Sequence, residues 1–196
     1  MGTFKLSSLL MSSAVAVALF IGGGVANAET LSGAKPVDPQ PDSGKLKPGL
    51  AVTYYYAMFE DVKHVGTLVK GKKGEPLELL DHVGADTKVL TSKKIWGVGA
   101  EIRGLINLAS TGTYTFRINS NDGIKVVIGG VLIHEDPLIH PDTMSDPIEF
   151  EVQEAGWYDF AVDYYQKKGT YALQMFWTPP TEGETIVPAS AYGYLE

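Results

Sequence analysis

Residues 112–133 read GTYTFRINSNDGIKVVIGGVLI. Tyr114, Phe116 and Ile118 alternate with Thr113, Thr115 and Arg117, the two-residue period of a strand with one buried face. Ser120-Asn121-Asp122-Gly123 then interrupts the alternation with four residues that favour turns. Ile124, Val126 and Ile128 resume it, and Gly129-Gly130 stands where a two-residue hairpin turn needs φ > 0. The stretch predicts a β-meander whose first turn holds one polar pair, Asn121-Asp122.

The same pattern extends on both sides. In Gly49 to Met58, Val52, Tyr54 and Tyr56 share a face, so the period is expected to leave the middle tyrosine, Tyr55, exposed. Trp96 to Leu108 is extended in character, as are Ile148 to Val152, Trp157 to Tyr165 and Tyr171 to Trp177. Glu60 to Leu90 is irregular and punctuated by glycine, and little helix is expected there. Eight or more short strands with Gly-rich turns predict an all-β antiparallel β-sandwich. Apolar alternation on several strands requires a second sheet to cover the first.

The ends of the chain read differently. Lys5, the apolar run Ala14 to Ile21 and the small-residue site Ala26-Asn27-Ala28 make residues 1–28 a signal peptide. That run is too short for the roughly 20 apolar residues that span a bilayer, so no transmembrane segment is expected in the mature chain. Export to the periplasm or the cell exterior follows, and the absence of cysteine excludes disulfides and thiol chemistry. Residues 29–48, with Pro36, Pro39, Pro41 and Pro48, read as a flexible or extended linker, leaving 49–196 as a single domain. Lys5 is the only charged residue of 1–28, so the 16 basic residues become 15 against 23 acidic, a net −8. That charge disfavours nucleic acid and anionic membranes as partners.

With these segments in order, the chain resembles the anthrax protective-antigen N-terminal domain family (the PA-fourteen domain). The likeness is carried by GLAVTYYY (49–56), GTYTFRINSNDGIKVVI (112–128), GWYDFAVDYYQ (156–166), ALQMFWTPP (172–180) and IVPASAY (186–192). The resemblance implies a barrel-like β-sandwich that works as a non-catalytic binding or spacer module in glycosidases, toxins and adhesins. In its calcium-dependent lectin members, two consecutive aspartates joined by a cis peptide hold one Ca²⁺ that also contacts sugar hydroxyls. Asp122 matches the second of these positions, and Asn121 replaces the first carboxylate by an amide. The resemblance therefore implies Asn121 and Asp122 as metal ligands, with Gly123 beside them in the ligand site. Calcium is the implied cofactor, at a weakened site, because affinity for this hard cation follows ligand charge. Ligands from a later loop cannot be matched residue by residue. The architectural alternative is that Asn121 and Asp122 cap the turn while Gly123 supplies a permissive φ.

Other clusters are weaker. His134, Glu135, Asp136, His140 and Asp142 share one loop without the spacing of a strong metal signature. Asp159 and Asp163 lie four apart on a strand, about 13 Å, beyond the roughly 5–9.5 Å of glycosidase carboxylates. No nucleophile elbow, P-loop or dinucleotide motif occurs, so no catalytic residue is expected. Lys70, Lys72 and Lys73, interrupted by Gly71, read as a solvated loop. Trp96, Trp157 and Trp177 are expected mainly to pack at the core and its rim. Two functions stay open: a carbohydrate-binding module with its site at 121–123, or a structural or protein-interaction domain of the cell envelope or surface.

Overall fold

The computed structural model describes residues 29–196, and the signal peptide expected at 1–28 lies outside them. The strands are β1 (Lys47–Pro48), β2 (Ala51–Tyr56), β3 (Lys72–Lys73), β4 (Asp81–Ala85), β5 (Val98–Leu108), β6 (Gly112–Asn121) and β7 (Ile124–Ile128). They continue as β8 (Val131–Asp136), β9 (Thr143–Met144), β10 (Ile148–Val152), β11 (Gly156–Gln166), β12 (Thr170–Thr178), β13 (Thr185–Ile186) and β14 (Tyr192–Tyr194). Three short 3₁₀ turns are the helical elements among the described residues, and none of their helices is long and apolar enough to cross a membrane.

Two antiparallel sheets form the expected sandwich. One runs β1-β14-β5-β11-β7-β8, with β2 and β3 added alongside β5. The other runs β10-β6-β12-β13, with β4 on β12 and β9 on β6. Alternation decides which side chains meet between them. Tyr114, Phe116 and Ile118 from β6 face Ile124, Val126 and Ile128 from β7, and Tyr158, Phe160, Val162 and Tyr164 from β11 complete the layer. Burying each such side chain contributes roughly 1.5–3 kcal/mol. The β7–β8 hairpin closes at Gly129 (φ 54°) and Gly130 (φ 83°), as that two-residue turn requires.

Two expectations are corrected. Tyr55 is not exposed: with Phe59, Val62, Val65 and Tyr165 it forms a second small core on the outer face of the first sheet. Period two does turn Tyr55 away from Tyr54, but the returning segment 57–65 covers that face. Residues 29–48, read from sequence as a flexible or extended linker, contain a 3₁₀ turn at Ser43–Lys45, and their backbone is bound to the sandwich. Leu31 bridges to Phe150, Val37 N–H donates to Trp157 O (2.9 Å), and Lys47 pairs with Tyr194.

Candidate functional site

β6 runs out at Asn121 and β7 begins at Ile124, so Asp122 and Gly123 cross between the two sheets. The C-terminal end of β11 receives them: Asp122 N–H donates to Tyr165 O and Tyr165 N–H to Gly123 O, both at 3.0 Å. The Asn121–Asp122 peptide is cis. The Tyr164 hydroxyl donates to Asn121 O at 2.5 Å, from a fully buried ring. Gly123 has no positive φ, contrary to the permissive-φ expectation; its requirement is steric. A Cβ there would sit 2.4 Å from the Tyr165 ring and 2.6 Å from Pro137 O.

Both polar side chains are almost out of contact with water, Asn121 at 6% and Asp122 at 4% exposure. Asn121 Nδ2 donates to Asp142 Oδ1 (2.7 Å) and Thr170 Oγ1 (3.0 Å). Asp122 Oδ2 accepts the backbone N–H of Lys167 at 2.7 Å. Burial pushes the Asp122 carboxyl above the usual aspartate range, opposed by the backbone N–H groups of Lys167 and His140. The turn is thus held by three segments: the 134–142 loop, the end of β11 and the start of β12.

The loop cluster is dispersed rather than gathered. Asp142 goes to Asn121, the His140 ring lies 3.4 Å from Asp136, and Glu135 pairs with Lys125 at 3.8 Å. His134 is half-buried, and burial pulls its pKa down. Among the described residues no group of three or more His, Cys, Asp or Glu is placed to hold a metal ion.

The model of the PA14 domain matches residues 46–191, three-quarters of the chain and all of the described site. The chain belongs to the PA14 domain family. The PA14 domain of the MpAFP antifreeze protein superposes with a TM-score of 0.65 at 18% identity, covering 82% of this chain and 97% of that one. A PA14 sugar-binding domain from an RTX adhesin gives 0.60 at 14%, covering 75% and 98%. The Epithelial Adhesin 6 A domain of Candida glabrata, in complex with Galb1-3GlcNAc, gives 0.60 at 13%, covering 80% and 91%. At these identities the likeness shows the shared fold. No curated protein matches in sequence.

Within this PA14 domain, the residues around the turn fit calcium only as a weak ligand set. Asn121 Oδ1 and the second carboxylate oxygen of Asp122 could hold it, with Asp142 the nearest further carboxylate. The Asn121 amide already does part of a cation's work, since its N–H groups draw Asp142 in. The sequence singled out Asn121, Asp122 and Gly123 as candidates but not the groups that hold them in place: Asp142, Thr170 and the Lys167 N–H. Asp142 stood in plain view in the Pro-rich loop; only pairing of β9 with Asn119 and Ser120 reveals that the loop folds onto the turn.

The other carboxylates and the tryptophans lie in separate environments. Asp163 pairs with Arg103 at 2.5 Å, whereas Asp159 is exposed. Glu149 and Glu151 accept hydroxyl hydrogen bonds from Thr30 and Thr113. Trp177 is buried and Trp157 half-buried, while Trp96 is 45% exposed.

Proposed function

We propose that this PA14 domain is an exported, non-catalytic carbohydrate-binding module whose site is the Asn121-Asp122-Gly123 turn with Asp142 and Thr170. The observation that carries the reading is the convergence of two carboxylates and one amide at one end of the sandwich, with Asn121 and Asp122 nearly dry and Asp142 and Thr170 open to solvent beside them. Planar carboxylate and amide groups fixed by backbone donors are suited to paired sugar hydroxyls, and pre-organisation removes the cost of ordering them on binding. The shared fold of an adhesin domain solved with a disaccharide adds support. Calcium is proposed as a weakly held partner of the same site, on Asn121 and Asp122. When bound it would link the protein's oxygens to the hydroxyls of the sugar.

A glycan array read with millimolar calcium and again with EDTA tests this. Selective glycan binding that weakens in EDTA is the expected result. Binding unchanged by EDTA removes calcium from the reading, and a folded sample that binds no glycan in either condition overturns it.

One observation favours the second reading, a structural or protein-interaction domain at the envelope or surface: the turn's polar groups already satisfy one another within the chain. On that reading calcium leaves the melting temperature unchanged, and Asp122→Ala costs only an ordinary capping loss of about 1 kcal/mol.

A further inference from the structure

A concave surface lies along the outer edge of β2, apart from the turn. Lys70-Gly71-Lys72-Lys73-Gly74, expected as a solvated loop, contains β3 and is laid antiparallel on the tyrosine strand, with Lys72 opposite Tyr54 and Lys73 opposite Thr53. Gly74 N–H donates to Val52 O at 2.9 Å. The two glycines make this approach possible. A Cβ on Gly71 would lie 2.7 Å from the Tyr55 ring, and one on Gly74 would lie 2.4 Å from the Tyr54 ring.

The other wall is the loop 89–94. It is closed by Val89 N–H to Lys94 O (3.0 Å) and by Ser92 Oγ to Lys94 O (3.0 Å). Thr91 ties it down, its N–H donating to the Tyr54 hydroxyl (3.0 Å) and its own hydroxyl to Glu75 O (2.7 Å). Lys94 Nζ sits 5.2 Å from the centroid of the Tyr56 ring. Between the walls is a groove of about 580 Å³ that takes in Lys70, Lys72, Lys73, Lys93 and Lys94, with Glu75 the one carboxylate among its lining residues. That size falls within the roughly 300–1,000 Å³ of small-ligand sites.

Five of the chain's fourteen lysines therefore share one groove in a protein of net charge −7. Among the described residues, Lys73 alone of the five has an ion-pair partner, Glu196 at 3.7 Å. A concave cluster of five cations, four of them without an ion-pair partner, focuses a positive potential. Its walls are pinned by backbone hydrogen bonds, so the charges are held near one another in the free protein. The form of the site selects among anions. An extended duplex or a flat membrane needs a broad basic face, which an acidic protein with one short groove does not offer. A narrow chain carrying regularly spaced acid groups fits it.

We propose that this groove binds an acidic polysaccharide, its carboxylate or sulfate groups set against the five lysine ammonium groups. The proposal does not rest on the reading of the Asn121-Asp122 turn.

The test is calorimetric titration of the full chain with oligogalacturonate and with dextran sulfate, alongside neutral dextran and phosphatidylglycerol vesicles. At least one acidic polymer should bind, neutral dextran should not, and added salt should weaken the binding. Lys72→Glu/Lys94→Glu should lower affinity about tenfold or more, while Lys35→Glu/Lys45→Glu, with the same change in net charge outside the groove, should change it less than about threefold. Lys72→Gln/Lys94→Gln gives the same comparison should charge reversal disturb folding. Equal losses in the two double variants, binding to vesicles alone, loss of binding in EDTA, or no binding to either acidic polymer would each overturn the proposal. Failure of the glycan array with the groove's binding intact would remove only the reading of the turn.

Discussion

The Asn121-Asp122 turn and the lysine groove place polar groups on the same sandwich in opposite ways. At the turn Asn121 and Asp122 are buried and fixed by partners from three segments, with Asp142 reaching in from the exposed loop. At the groove they are exposed, with Lys73 alone ion-paired, and all of one sign apart from Glu75. The first arrangement can discriminate closely but must exchange existing hydrogen bonds for those of a ligand. The second acts at a distance and is weakened by salt. The difference teaches that burial of polar groups on its own says little about ligand binding; what matters is whether their capacity is already spent.

The largest expected effect contrasts the glycines of the two regions. At Gly123 an added Cβ meets a fully buried ring on one side and backbone on the other, with no direction of relief. Gly123→Ala should cost about 3 kcal/mol, the upper end for overpacking. Gly74 is equally close to Tyr54, but its near neighbours are side chains alone, without the backbone contact that confines Gly123, so a small shift relieves the crowding. Gly74→Ala should cost about 1 kcal/mol and should loosen the groove. Urea denaturation of both variants measures the contrast, and equal costs would mean that the groove wall is as rigid as the turn.

The next effect concerns the spent capacity of Asn121. Asn121→Asp places a carboxylate where an amide now donates to Asp142 at 2.7 Å, so two like charges face each other, one on a buried residue and one on an exposed loop. In EDTA this variant should lose about 1–3 kcal/mol of stability, the cost of a broken buried hydrogen bond. Millimolar calcium should restore most of it by occupying the gap, while the melting temperature of the unmodified chain should move much less. In the groove, Lys93→Ala should stay within about 0.5 kcal/mol of the parent, as exposed substitutions do. A calcium response as large in the unmodified chain as in Asn121→Asp would erase the distinction drawn between amide and carboxylate at this position.

How much of this was legible in the sequence follows from range. The strands around 112–128 and 156–166 were readable because alternation is a local property, and sandwich and family followed from their order. Asn121 and Asp122 stood out because a turn is local too. Asp142 and Thr170 did not, being 21 and 49 residues away and joined to Asn121 only by the pairing of β6 with β9 and β12. The groove was hidden for the same reason. Its lysines lie in two segments about twenty residues apart, brought together on β2 by β3 and by the Thr91 hydrogen bonds to Tyr54. The interruption of the lysine run by Gly71 argued for a solvated loop, yet that glycine and Gly74 let the segment lie on tyrosine rings. Tyr55 was misplaced because alternation reports which face a side chain takes, not whether a later segment covers it.

The smallest expected effect is a pH dependence that belongs to the side chains around the turn. Burial lowers the pKa of His134 below 6.5, assisted by nearby His140 and opposed by Asp136. The unfolded chain therefore takes up a proton at a higher pH than the folded one. His134 contributes stability that is fully present above pH 6.5 and is lost as pH falls through the lowered folded value. His82, on β4, behaves in the same direction, with burial again the leading cause. Asp122 runs the other way: its raised pKa gives a contribution present below about 3.8 that is lost as pH rises through the folded value. The two kinds of group thus act with opposite sign as pH falls. Melting curves between pH 7 and pH 5 should fall with acidification in the unmodified chain and less steeply in His134→Gln, with Lys93→Ala matching the unmodified chain. An unchanged slope in His134→Gln would mean that the half-buried ring next to the turn stays wet enough to titrate as it does in the unfolded chain.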